Sequence, residues 1–280
     1  MPSSKSRVPS WTTAPRTSNS LFADDNTDGG DYAPIHFGMP ITTCVDDGVY
    51  VDNVRSALSR GLPEIKPRKP HTHVMSIAAG GPSLGDTYQE LKGVICAVNG
   101  SLSFLMERGV KPWAVGVMDP RAHMADVVER VEGVFYFLAS TCHPRLFDKL
   151  AGCQIGLWHP SGMRGIEALV PQDSYLIGGG TTMGLRWLNI GHFLGFREFH
   201  AHGLDSSFRG QSTHAYPDHT DGDEAVFSVK EYRTRKNFVQ QIVDWTETKA
   251  MFARMPVEDQ PRVKLYGDGL LQYCEREGVC

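Results

Sequence analysis

Three residues with ionisable side chains stand where they could act on a substrate. His214 lies in a polar loop, and because an imidazole titrates near neutral pH it can exchange a proton with an acceptor hydroxyl or a leaving phosphate. Asp119 and Asp205 each follow an apolar run that is typical of a buried strand. For Asp119 two interpretations stay open, a ligand for a divalent metal on a phosphate and a cap on the helix that follows. The same choice arises for Asp205, where capping of a helix or turn is favoured.

Two glycine-rich turns accompany these side chains. The first, G-G-P-S-L at 80–84, follows the apolar run 74–79 and precedes a helix start. Strand, glycine turn and helix start form the geometry that aims free N–H groups at a phosphate. The second turn, G-G-G-T-T at 178–182, opens a strong helical pattern. Either turn is also typical of an ordinary strand-to-helix connection, so both interpretations stay open.

A nucleotide whose phosphates lie between the two turns would suit this arrangement. Asn99 ends the strand-like run 94–98 and offers an amide to a base, a ribose or a phosphate, unless it is only a turn residue. The candidate binding residues are Gly80, Gly81, Pro82, Ser83, Leu84, Asn99, Gly100, Ser101, Gly179, Gly180, Thr181 and Thr182. The candidate catalytic residues are His214, Asp119 and Asp205, and Asp119 is also the candidate ligand for Mg²⁺. His214 and His219 lie near several aspartates, but no third ligand has recognisable spacing, so a structural zinc is not predicted.

The elements that must position these residues alternate along the chain. The pattern predicts strands at 74–79, 94–98, 114–118, 134–139, 154–158, 174–177, 198–201 and 263–266. It predicts helices at 83–92, 101–108, 122–131, 144–150, 183–194 and 231–255. Such alternation favours an α/β, Rossmann-like fold, with a mostly parallel sheet and helices on both faces. Ligands bind outside the carboxyl ends of parallel strands. The five clusters at 80–83, 99–101, 119, 178–182 and 205 are therefore expected at one edge of the sheet.

Composition sets the domain organisation and excludes some classes of function. Residues 1–33 are rich in Ser, Thr, Pro, Asn, Asp and Gly and are interpreted as a disordered tail, 34–70 as a lead-in segment with one or two helical turns, and 71–280 as the Rossmann-like domain. The net charge of −4 gives no basic footprint for nucleic acid. No apolar run is long enough to span a bilayer, and no secretory signal follows the first basic residues. Six scattered cysteines without C-x-x-C spacing favour a reduced, cytoplasmic protein.

Several of these motifs together resemble a known family. The segments G-G-P-S-L at 80–84, A-V-N-G-S at 97–101 and M-D-P at 118–120 resemble the 6-hydroxymethylpterin diphosphokinase MptE-like family, as do the long block at 179–205 and S-T-H-A at 212–215. The layout is also similar to that of the bacterial sialyltransferases of glycosyltransferase family 42. The resemblance covers roughly 70–275 and implies a Rossmann-like domain that transfers a group from a nucleotide or nucleotide-sugar. It implies that Gly80 to Leu84 and Asn99 touch the nucleotide, and that His214 serves as the base.

One departure from the sialyltransferase pattern bears on the donor. Those enzymes have an asparagine that contacts the donor where this chain has Gly80, which argues against CMP-sialic acid, and their tyrosines near the phosphate have no clear match. The first hypothesis is therefore a nucleotide-dependent transferase, diphosphokinase-like or glycosyl-type, with a nucleotide donor, a small-molecule or glycan acceptor and Mg²⁺. Homo-oligomerisation is a further expectation. The alternative is a non-catalytic nucleotide-binding or assembly factor that keeps the fold.

Overall fold

Parallel strands form the central sheet of the computed structural model, which describes residues 44–162, 167–217 and 225–279. The strands of the described ranges are β1 (Val74–Ala78), β2 (Val94–Val98), β3 (Ala114–Val117), β4 (Phe135–Ala139), β5 (Gln154–Pro160), β6 (Leu176–Ile177), β7 (Glu198–His202), β8 (Val226–Val229), β9 (Tyr232–Arg235) and β10 (Arg262–Tyr266). Eight of them pair in the order β10-β7-β1-β2-β3-β4-β5-β6, and every pairing in this sheet is parallel. The predicted α/β fold with a mostly parallel sheet is confirmed.

Helices surround the sheet and connect its strands. In the described ranges they are α1 (Asp47–Ser59), α2 (Leu84–Thr87), α3 (Ser101–Glu107), α4 (Met124–Val127), α5 (Pro144–Lys149), α6 (Met183–Phe193), α7 (Lys236–Ala253) and α8 (Leu270–Glu277). Short 3₁₀ turns cover Tyr88–Glu90 and Val257–Asp259. None of the helices in these ranges combines the length and the apolar content needed to cross a bilayer.

The strands are short apolar runs because both faces of the sheet are covered. In β1, Met75 and Ile77 on one face of the sheet and Ser76 and Ala78 on the other are all buried, as expected for a central parallel strand. Helix α6 is fixed across the sheet by the indole of Trp187, which donates to the backbone oxygen of Ala97 in β2 at 2.9 Å. The helix that starts at the second glycine turn therefore packs over the strands that carry the first.

Several predicted helices are shorter than expected, among them the one over 83–92, which is reduced to α2 and a 3₁₀ turn, and one hairpin was missed. The helix predicted over 231–255 begins only at Lys236, because Tyr232–Arg235 is strand β9 and pairs antiparallel with β8. Side chains alternate between the two faces of a strand. In Y-R-T-R the side chain of Thr234 is fully buried, and its hydroxyl donates to the backbone oxygen of Ser206 at 2.9 Å. The helix predicted over 122–131 is reduced to the single turn of α4. The tail at 1–33, the beginning of the lead-in and His219 lie outside the described residues.

Candidate functional site

The sequence clusters that follow β1, β2 and β7 meet at the carboxyl edge of the sheet. Strand β1 pairs with both β2 and β7, so the residues after these three strands are neighbours. The backbone N–H of Asn99 donates to the backbone oxygen of Gly116 in β3 at 3.2 Å, so the end of β3 lies beside the residue that follows β2. Although β6 lies at the far edge of the sheet, α6 runs back across it. A Cβ built at Gly184 would lie 3.4 Å from the Cβ of Ala79, so the first turn of α6 reaches the end of β1.

The backbone amides of the first glycine turn are engaged within the chain. The amide of Gly81 donates to the oxygen of Gly203 at 2.8 Å, and that of Leu84 donates to the oxygen of Gly81 at 3.0 Å. The amide of Ser83 donates to Oδ2 of Asp205 at 2.6 Å. These three N–H groups therefore do not form the free phosphate-binding cradle expected from the sequence. The glycines have a packing reason instead, because a Cβ at Gly81 would lie 2.5 Å from the oxygen of Gly203.

Asp205 holds the first turn in place. Its Oδ1 accepts the hydroxyl of Ser83 at 2.5 Å and the side-chain amide of Gln272 at 3.3 Å. The residue is buried, and this burial raises the pKa of its carboxyl above the ordinary value, against the opposing effect of the hydrogen bonds from Ser83. With both oxygens accepting internal hydrogen bonds, Asp205 has the contacts of the turn cap that sequence reasoning favoured.

His214 lies directly against the first glycine turn. The amide of Ala215 donates to the oxygen of Gly80 at 2.9 Å, which fixes the loop to the turn. A Cβ built at Gly80 would lie 2.4 Å from Cδ2 of His214 and 2.6 Å from the hydroxyl of Tyr216, so a side chain at this position would have to displace these rings. Nδ1 of His214 is hydrogen-bonded with Oγ1 of Thr213 at 3.0 Å. The loop after β7 thus brings the predicted histidine to the predicted turn.

Tyr216 is a polar residue of this region that sequence reasoning missed. Its ring lies near Phe104, with centroids 6.3 Å apart, and near His214, with centroids 5.2 Å apart. A Cβ at Gly100 would lie 2.9 Å from its Cε2 atom, so the ring spans from the first turn to the end of β2. The signal was present in the sequence, since Tyr216 follows S-T-H-A directly.

Asn99 adopts a backbone conformation that favours glycine. Its φ is 48°, which is uncommon for a residue with a side chain. Its Oδ1 atom is buried and has no hydrogen-bond partner within the described ranges. An unpaired buried carbonyl oxygen beside such a backbone is typical of a functional position. By contrast, the hydroxyl of Ser101 is used structurally, since it donates to the oxygen of Ala78 at 2.6 Å and accepts from the amide of Val98 at 2.8 Å.

The surroundings of Asp119 do not resemble a ready metal site. The guanidinium of Arg121 donates to both carboxylate oxygens, with Nη2 2.6 Å from Oδ2 and Nε 3.0 Å from Oδ1. The backbone amide of Arg121 also donates to Oδ1 at 2.9 Å. In the part of the chain that the structure describes, no group of three His, Cys, Asp or Glu residues is placed to hold a metal ion. This donor set does not fit Mg²⁺, whose assignment to Asp119 stays a prediction.

The second glycine turn is held by two side chains that the sequence did not reveal. Oδ2 of Asp244, on α7, accepts the amide and the hydroxyl of Thr181 at 2.6 and 2.7 Å. The guanidinium of Arg186 donates to the oxygens of Gly180 and Ile177 at 2.8 and 2.6 Å. Arg186 lies within the 179–205 block, so the sequence placed it close to the turn without indicating its contacts. Asp244 comes from a helix far along the chain, and no sequence spacing connects it to the turn.

A small polar cavity adjoins the first turn on the side of β10. It has a volume of about 130 Å³ and is lined by Pro82, Asp205, Ser207, Phe208, Arg209, Tyr232, Asp268 and Gly269. The guanidinium of Arg209 bridges its rim, with contacts of 2.5 Å to Asp86 and 2.6 Å to Asp268. Ligand pockets usually have volumes of about 300 Å³ or more. This cavity therefore has room for only a small part of a substrate.

Comparisons with known proteins place this geometry in a wider context. The family model described as 6-hydroxymethylpterin diphosphokinase MptE-like matches residues 50–211. Among solved structures, the MAf glycosyltransferase from Magnetospirillum magneticum AMB-1 superposes with a TM-score of 0.56 at 12% sequence identity. The match covers 84% of this chain but only 42% of that one, and at this identity it shows a shared fold. No curated protein matches the chain.

Proposed function

The chain belongs to the 6-hydroxymethylpterin diphosphokinase MptE-like family, and from this membership we propose that it is a nucleotide-dependent transferase. The group moved is a diphosphate or a glycosyl unit, taken from a nucleotide donor to an acceptor hydroxyl. The name of the family and the glycosyltransferase fold of MAf both support a transferase. The five described cysteines are free thiols, which supports our proposal of a cytoplasmic location.

The observation that carries the proposal is the contact between His214 and Gly80. A residue with acid–base chemistry comes from the loop after β7 and lies on the turn after β1. These two strands are adjacent, and the chain leaves them in opposite directions, towards β2 and towards β10. Such a switch point is where ligands bind in open parallel sheets. Gly80 has no side chain to contact a donor, whereas the sialyltransferases have an asparagine at this position, which supports a donor other than CMP-sialic acid.

The proposed mechanism uses the residues at this switch point. In the tautomer in which Nδ1 of His214 donates to Thr213, Nε2 is the basic atom and faces the glycine turn. It takes the proton from the acceptor hydroxyl as that oxygen attacks the transferred group. The hydroxyl of Tyr216 donates a hydrogen bond to the leaving phosphate, and Oδ1 of Asn99 accepts one from the nucleotide. No step is assigned to a metal.

Replacing His214 tests the proposal. We expect His214→Ala to reduce turnover about a hundred- to ten-thousandfold, the usual contribution of a general base, with nucleotide affinity nearly unchanged. His73→Ala is the matched control, because His73 is exposed and precedes β1 at the opposite edge of the sheet. Turnover would be measured with a nucleotide donor identified by binding. Full activity of His214→Ala would exclude the catalytic role.

A second candidate function is a non-catalytic nucleotide-binding or assembly factor. One observation favours the assembly factor, namely that the amides of Gly81, Ser83 and Thr181, which a nucleotide phosphate would use, all donate within the chain. In that case His214→Ala would lower stability without changing any reaction, since the imidazole would only attach its loop to the turn. Measuring unfolding and turnover on the same variant separates the two functions.

A further inference from the structure

The second glycine turn already holds an anion, the carboxylate of Asp244. Its Oδ2 accepts both the backbone amide and the hydroxyl of Thr181, at 2.6 and 2.7 Å. Its Oδ1 accepts the side-chain amide of Gln240 at 3.0 Å. An N–H group and a hydroxyl just before a helix are donors that a bound phosphate would use. At this turn those donors are occupied by an internal group.

The carboxylate is enclosed, whereas the turn can be reached from solvent. Asp244 is only 6% exposed, while Thr181 is exposed. A dissolved anion that approached the amide of Thr181 would meet a fixed negative charge that is poorly screened by water. Like charges that share one set of donors repel each other, so phosphate binding at this turn is disfavoured.

Two uncharged polar groups beside the same turn lack an internal hydrogen-bond partner in the described part of the chain. Nδ2 of Asn189, on a residue only 2% exposed, and Oγ1 of Thr182 have no hydrogen-bond partner among the described residues. The side-chain amide of Asn189 lies against the turn, since a Cβ built at Gly179 would be 1.9 Å from its Nδ2 atom. An amide N–H and a hydroxyl pair well with the hydroxyl or carbonyl oxygens of an uncharged group.

We propose that Asp244 is a specificity-determining residue whose carboxylate fills the anion site of the second glycine turn. The turn consequently receives an uncharged part of the substrate that carries hydroxyl or amide groups, and it excludes phosphate. The inference rests on the proposed function only in taking the substrate to be a nucleotide, since the exclusion of phosphate is argued from the contacts of Asp244. The nearby guanidinium of Arg186 already donates to the backbone oxygens of Gly180 and Ile177. Under this proposal phosphates would not lie at the second turn, in contrast to the expectation from the sequence that they lie between the two turns.

The experiment titrates inorganic diphosphate into the full chain at low ionic strength, using calorimetry. We expect Asp244→Asn and Asp244→Ala to bind diphosphate about tenfold more tightly than the wild type, because the repelling charge is gone and the donors of Thr181 are released. The gain should shrink as salt is added. Asp244→Glu keeps the charge and should show no gain. Glu258→Gln removes an exposed carboxylate elsewhere, and it should leave diphosphate affinity unchanged.

Unchanged or weaker diphosphate binding by Asp244→Asn would overturn the inference, since the carboxylate would then support an anion site or have no influence on it. Circular dichroism identifies any variant that fails to fold, and the near-isosteric Asp244→Asn decides the result if Asp244→Ala does not fold. CTP, ATP, GTP, CMP and UDP-sugars titrated into the wild type test the proposed function separately. If the Asp244 variants gain affinity for diphosphate but no nucleotide binds the wild type, the nucleotide-dependent transferase is rejected. The proposal that the carboxylate of Asp244 fills the anion site of the second turn is then supported.

Discussion

The two glycine turns are held by the same pattern of hydrogen bonds to an aspartate but differ in exposure. In each, a buried aspartate from a distant part of the chain accepts the amide and the hydroxyl of one residue, Asp205 from Ser83 and Asp244 from Thr181. Ser83 is fully buried, whereas Thr181 is exposed. The acceptor Asp205 therefore fixes the first turn between β1 and β7 below the surface, whereas Thr181 of the second turn lies at the surface.

This difference shows what a glycine-rich turn reveals in a sequence. His214 and Tyr216 lie against Gly80, and the backbone oxygen of Gly203 lies against Gly81. The glycines thus report close packing, and they do not report whether the neighbouring N–H groups are free. A larger residue at Gly81 would disturb the backbone whether or not a ligand binds there, so such a variant cannot measure nucleotide binding.

The largest expected effect on stability is at the joint of the first turn. Asp205→Ala should lower the free energy of unfolding by about 3 kcal/mol, because it leaves the buried donors of Ser83 and Gln272 without an acceptor. Urea denaturation measures this loss. Asp268→Ala is the control, since this neighbouring carboxylate is 74% exposed and its removal should cost less than about 1 kcal/mol. Equal losses in the two variants would contradict the structural role of Asp205.

Part of the acid sensitivity of stability should originate near the first turn, at His202, in addition to the burial-lowered pKa values of His159, His192 and His200. The imidazole of His202 is fully buried and stacked on Tyr266, and burial lowers its pKa from 6.5 to about 4. The folded state therefore favours the neutral ring, and stability is lost as the pH falls from 6.5 towards 4, where only the unfolded chain gains the proton. The loss from this group amounts to about 3 kcal/mol at most.

His202→Phe keeps an aromatic ring on Tyr266 and removes the titrating group. Denaturant unfolding of both proteins between pH 4 and pH 7 compares their slopes, and the variant should be the less acid-sensitive of the two. Parallel curves would show that acid sensitivity arises elsewhere in the chain.

The smallest effects come from the two hydroxyls, and they compare the turns directly. Ser83→Ala removes a buried hydrogen bond to a carboxylate and should cost about 1.5 kcal/mol. Thr181→Val removes the corresponding bond at an exposed position and should cost less than about 1 kcal/mol, because water can replace the hydroxyl. Thermal unfolding of the two variants provides the comparison. A larger loss for Thr181→Val would reverse the roles assigned to the turns.

Much of the fold could be predicted from sequence because buried parallel strands are continuous apolar runs. Strand β2 has the predicted ends, and β1, β3, β4 and β10 differ from prediction by one residue. The β8–β9 hairpin was missed, since its outer strand is exposed along its length and carries no core pattern. The contact of His214 with the first turn agrees with the expected convergence of clusters at one edge. The acceptors Asp205 and Asp244 were not paired with their donors, because tertiary packing alone brings these distant residues together.

The most direct test of a nucleotide-dependent transferase is a thermal-shift screen of the wild type with CTP, ATP, GTP, CMP and UDP-sugars, each with and without Mg²⁺. A ligand that binds only the folded chain stabilises it by about 2.7 kcal/mol at a hundredfold excess over its Kd. We therefore expect at least one nucleotide to raise the Tm by about 5 to 10 °C at that concentration. Failure of every nucleotide to raise the Tm at millimolar concentration would contradict the proposed function.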